Sequence, residues 1–176
     1  MKRTFGQLAL LAAAVIVPAL AGAQHAYVGV KACTMCHKSP AQGQQLAIWE
    51  KSKHAGAYNT LTTPKAAEIA KAKGLAKPAN EAPECLECHT IKGGPDGADP
   101  KQGVQCESCH GAGADYKAMS VMKNKDAAVK AGLNAFADKA AIEAMCKTCH
   151  NEKSPTNKPF NFDERWKDIA HKKPAA

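Results

Sequence analysis

Every cysteine in this 176-residue chain falls inside one repeated pattern, C-x-x-C-H. The four copies are Cys33-Thr34-Met35-Cys36-His37, Cys85-Leu86-Glu87-Cys88-His89, Cys106-Glu107-Ser108-Cys109-His110 and Cys146-Lys147-Thr148-Cys149-His150. Two thiols three residues apart can each add to one vinyl group of a haem, and the histidine that follows then meets the iron as an axial ligand. Zinc held by paired thiolates, or four disulfides, would use the same cysteines. Neither needs a histidine after every second cysteine. With seven histidines in 176 residues, four such placements arise by chance in roughly one chain in 400,000. The pattern therefore predicts four covalently bound haem c groups, on His37, His89, His110 and His150.

The far side of each iron decides the chemistry. A second strong ligand blocks substrate and suits electron transfer; an open side lets a small molecule bind. Only His25, His54 and His171 lie outside the motifs, so three histidines face four positions. His54 is expected late in a helix that carries Trp49, where a backbone can hold its ring rigidly against a haem face. His171 closes a second helix with an apolar face. His25 would be the second residue of an exported chain. Met119 and Met122 follow the third motif closely, and Met122 is the preferred thioether ligand.

Those ligands need elements to carry them. Gly43 to Tyr58 has apolar residues at helical spacing. Thr63 and Pro64 mark a helix start and Gly74 its stop. Asp126 to Ala131, stopped by Gly132, and a helix capped by Asp138 that runs into the fourth motif follow. A last helix spans Asp163 to His171, with Asp163 as its cap and Trp166 and Ile169 on one face. Gly93 to Gly97 reads as a turn, and Lys172 to Ala176 as a loose tail. Aromatic content is only 5%. The expected fold is mainly α, with short helices and loops wrapped around haems that act as its core.

The first residues give an address. Lys2 and Arg3, the apolar stretch Leu8 to Leu20 and the small residues Ala21-Gly22-Ala23 read as a cleaved secretory signal, residues 1–23. The apolar stretch is short for a membrane span. One domain, residues 24–176, is left for the periplasm or the outside of the cell. The formal charge of +8 drops to about +6 without the signal, and to about +2 once haem propionates and ferric centres are counted. Nucleic-acid binding is not expected, and neither is stable membrane insertion.

Certain stretches resemble the tetrahaem cytochrome c-554 family. They are Tyr27-Val28-Gly29, Trp49-x-x-Ser52-x-His54-Ala55, Gly103-Val104-Gln105 with the third motif and Gly111-Ala112-Gly113, and the final helix from Phe162-Asp163 to a histidine. The resemblance implies a mainly helical tetrahaem cytochrome c domain with haems in close-stacked pairs, periplasmic electron transfer, and distal roles for His54 and His171. It also implies one open iron and a further distal histidine after the third motif. Here Ala114 to Met122 holds no histidine and two methionines. Either Met119 or Met122 takes that place, or His25 reaches a haem, or more than one iron is open.

Three functions compete. The first is an electron carrier between redox proteins of a respiratory chain. The second is an enzyme that reduces a small nitrogen oxide or peroxide at an open iron, with Tyr116 or His25 as proton donor. The third is self-association into an extracellular cytochrome filament. The carrier is the preferred reading, because no catalytic constellation stands out.

Overall fold

The computed structural model describes residues 25–91 and 98–171. The signal at 1–23, the turn at 93–97 and the tail at 172–176 lie outside the described residues. Among the described residues there are ten short helices and no strand, the mainly helical chain that the sequence predicts. None of these helices is long and apolar enough to cross a membrane.

Short polar caps set most of the boundaries. Helix α1, Val30–His37, carries the first motif, and α2, Gln45–Lys51, packs against it. The predicted Gly43–Tyr58 helix is two helices, α2 and α3, Ala57–Thr60. The break is at Ser52, whose backbone is extended (φ −79°, ψ 159°) and whose hydroxyl donates back to the Trp49 carbonyl at 2.7 Å. That side-chain bond competes with the helical pattern, so His54 sits in the turn after α2 rather than on the helix. Helix α4, Pro64–Ala72, has Thr63 as its cap, accepting from the Ala66 N–H at 3.2 Å, and ends before Gly74 at φ +64°. Helices α5, Pro83–His89, and α6, Cys106–His110, hold the second and third motifs.

Helix α7, Met119–Met122, packs on α8, Lys125–Lys130. Helix α9, Lys139–Lys147, is capped by Asp138, which accepts from the Ala141 N–H at 2.8 Å, and leads into the fourth motif. The last helix, α10, is Phe162–Ile169. Its cap is Asn161, two residues earlier than Asp163, since the Asn161 amide oxygen accepts from the Glu164 N–H at 3.3 Å. Asp163 falls in the first turn, where its charge favours the helix dipole and pairs with Lys139 of α9. His171 lies past the helix, because Ala170 turns extended (ψ 125°).

The protein core is thin. Of the eleven buried apolar residues among those described, six are alanines: Ala66, Ala70, Ala79, Ala82, Ala98 and Ala128. One cluster stands out, Leu61, Ala66, Ala70 and Ala79, with Leu75, Cys85 and Leu86 against it. Alanine buries little apolar area, and a full side chain such as Leu contributes only about 1.5–3 kcal/mol. Polypeptide alone leaves much of the interior to be supplied by something else.

Candidate metal centre

All eight motif cysteines are free thiols. Among the described residues, no three or more His, Cys, Asp or Glu side chains converge as a metal cluster. The motifs instead meet in pairs. Helix α1 packs on α6, and the Cys106 thiol beside Cys33, together with burial, pushes the Cys33 thiol far up. Cys88 is pushed up to about 11, by burial first and then by neighbouring Cys149. Glu87 of the second motif lies 3.9 Å from Lys153, three residues past the fourth. Cys109 is also pushed up to about 11, by burial and then by Cys146 and Cys149.

The histidines pair across motifs too. The ring centroids of His54 and His150 lie 6.1 Å apart, tilted by 54°. Those of His110 and His171 lie 6.0 Å apart, tilted by 55°. An imidazole nitrogen bonds a metal ion at about 2 Å, so two rings on opposite sides of one ion hold their centroids roughly 6 Å apart. Each pair has one motif histidine and one from outside the motifs. The residues present therefore fit a porphyrin iron.

The tautomers fit as well. His89 Nδ1 lies 2.9 Å from the Ala57 carbonyl, His110 Nδ1 3.0 Å from that of Asn134, and His171 Nδ1 2.9 Å from that of Ile169. A carbonyl can only accept, so Nδ1 carries the proton and Nε2 keeps its lone pair for a metal. Burial pushes the pKa of His54 and of His110 down, which keeps both rings neutral as ligands must be. Phe160 stacks on the His150 ring at 4.6 Å, and Phe136 meets His110 edge-on at 5.6 Å.

His54 owes its place to a tie that the sequence does not announce. Its carbonyl accepts from the Val104 N–H at 3.0 Å, and the Trp49 indole N–H donates to the Val104 carbonyl at 2.7 Å. Gly103 (φ +73°) lets the two backbones approach; a Cβ there would meet the carbonyl oxygens of His54 and Ala55.

The other candidates are placed as follows. His25 pairs through Nδ1 with Asp115 and lies beside Gly132. A carboxylate behind the ring is the partner that metal-binding imidazoles commonly carry. Met119 is 60% exposed, and Met122, on the same turn, is half-buried. No second ring is paired with His89 among the described residues, while burial first, and then the nearby His171, lower the pKa of His37. Tyr116 is buried, and its hydroxyl donates to the Gly111 carbonyl at 2.6 Å, which ties up the proton that a catalytic role would use.

One structural residue was missed by the sequence reading. Glu107, inside the third motif, is 2% exposed. Its carboxylate accepts from the N–H groups of Val28 (3.0 and 3.1 Å), Gly29 (2.8 Å) and Gly113 (2.6 Å). It binds the lead into the first motif to the loop after the third. A glutamate between two motif cysteines carries no sequence signal for this.

Residues 32–111 match the family described as "Cytochrome c554 and c-prime". The chain is 31% identical over 149 residues to cytochrome c-554 of Nitrosomonas europaea, covering 79% of this chain and 55% of that protein. The chain thus spans about half the length of that curated relative. No solved structure matches the chain significantly.

Proposed function

Since this chain belongs to the cytochrome c-554 family, we propose that it is a periplasmic tetrahaem electron carrier serving redox proteins of a respiratory chain. The eight motif cysteines would hold four haem c groups, and His37, His89, His110 and His150 would be their proximal ligands. Haem c supplies reversible one-electron chemistry at iron. The two histidine pairs carry the reading. His54 with His150 and His171 with His110 would each hold an iron through two imidazoles, which would leave it closed to substrate. His25 and Met122 are the candidates for the irons of His37 and His89.

The meetings between motifs imply a sequence for the relay. The first motif adjoins the third, the third adjoins the fourth, and the fourth adjoins the second. Electrons would pass along that order, with the first and second motifs at the ends.

A second reading keeps one observation in its favour. His89 has no ring paired with it among the described residues, so an iron there could meet a small nitrogen oxide or a peroxide. The test is the intact mass of the exported holoprotein, with EPR of its oxidised form. The proposal expects four haem additions and at least two low-spin bis-histidine irons. A bare polypeptide mass without Soret absorption overturns it. Rapid turnover of nitrite, hydroxylamine or peroxide moves the conclusion to catalysis.

A further inference from the structure

We propose that the face formed by α1 and α2, at the first-motif end of the relay, is the docking surface for a small acidic redox protein. The inference rests on the relay reading for its importance, and on charge for its chemistry.

From residue 25 to residue 62 the chain carries Lys31, Lys38, Lys51 and Lys53 against a single carboxylate, Glu50. Lys31 on α1 and Lys38 just past its end flank the first motif; Lys51 ends α2 and Lys53 lies in the turn after it. All four are exposed, and none takes part in an ion pair among the described residues. Some cations elsewhere are answered: Lys65 by Glu68, Lys139 by Asp163, Lys147 by Glu143, Lys153 by Glu87 and Arg165 by Asp168.

Between the first pair of cysteines stands Met35, 79% exposed, the most exposed large apolar side chain among the described residues. Beside it α1 and α2 share an open groove of about 470 Å³, whose apolar lining is Val30, Leu46, Trp49 and Ala55 and whose polar lining is Lys31, Thr34, Glu50 and Gln102. An apolar centre with an unanswered basic rim is how a transient interface is built: the rim steers the partner and the centre lets it settle. The opposite end of the relay is mixed in sign: Glu81, Glu84 and Glu87 are exposed around the second motif, and so are Lys71, Lys73 and Lys77, while Lys153 pairs with Glu87. The excess of unanswered positive charge over carboxylate at the first-motif end therefore favours an acidic partner there.

The probe is an acidic plant-type ferredoxin, mixed with the holoprotein while both are oxidised, so that binding is read without electron transfer. Calorimetry at low salt should give a measurable Kd for wild type. The double variant Lys31→Glu and Lys38→Glu should weaken it about tenfold, and Lys123→Glu with Lys125→Glu, away from this face, by less than about twofold. Carbodiimide cross-links should fall on Lys31 or Lys38. If the glutamate variant fails to take up haem, Lys31→Gln with Lys38→Gln should still weaken binding several-fold. Equal weakening by both lysine pairs overturns the docking site, and so do cross-links centred elsewhere. Cross-links from Lys31 or Lys38 to Glu81, Glu84 or Glu87 of a second copy, with none to ferredoxin, overturn it in favour of head-to-tail association. Full reduction by dithionite alongside any of these failures leaves the relay standing; incomplete reduction counts against the relay itself.

Discussion

The backbone N–H of Val104 donates to the carbonyl of His54 at 3.0 Å. This bond fastens His54, which lies in an irregular turn, to the segment that enters the third motif. It depends on Gly103, whose positive φ and missing Cβ leave room for the His54 and Ala55 carbonyls. Gly103→Ala is expected to cost at least about 2 kcal/mol, seen as a lower melting temperature. It should also loosen His54, so low-spin intensity should fall in EPR of the folded fraction.

Removing a ring should expose one iron at a time. His54→Ala is expected to convert one ferric centre to high spin, and His171→Ala a different one. The double variant should show both changes, with haem content unaltered. An unchanged EPR spectrum in either single variant removes that histidine from the ligand set.

Met122→Ala tests the thioether assignment. A bound methionine raises a haem's potential, so its loss should lower one midpoint potential and add a high-spin signal. Spectra and potentials identical to wild type would leave Met122 as packing only, and Met119→Ala serves as the exposed control.

Glu107→Gln should be more damaging than a surface change. The buried carboxylate accepts four contacts from three N–H groups. An amide would turn a donor toward other donors. Removing a charge-assisted acceptor from such a site costs about 2–3 kcal/mol. Hydrogen exchange should quicken at Val28, Gly29 and Gly113 before it quickens elsewhere.

Acid should weaken the fold in a defined direction. Burial lowers the pKa of His54 and His110 from 6.5. Below that value the unfolded chain takes up protons that the folded rings resist, so stability falls as pH falls. Iron bonding acts in the same direction, since metal and proton compete for one lone pair. Melting temperatures measured from pH 7.5 to 5 should drop, and the slope should be smaller in His54→Ala.

The motifs and the caps were legible because each depends on residues close together in the chain. Thr63 with Pro64, and Asp138, set their helix starts as predicted. The Ser52 break was not legible: a serine hydroxyl that returns to Trp49 looks the same in sequence as one facing solvent. The cap of α10 slipped from Asp163 to Asn161, because both residue types cap well and only the entering backbone chooses. At the candidate site, the motif histidines could be read directly. Their pairing could not, since His54 with His150 and His110 with His171 are contacts between distant segments. Glu107 was hidden for the same reason.

An interior made largely of alanine has a cost during biosynthesis. Such a chain has little to gain from collapsing before its cofactors arrive, so maturation and folding become one event. A molecule that misses a single attachment would keep a hollow beside helices only one or two turns long, open to any protease nearby. Iron supply would then govern how much of the protein accumulates, as well as how much of it works.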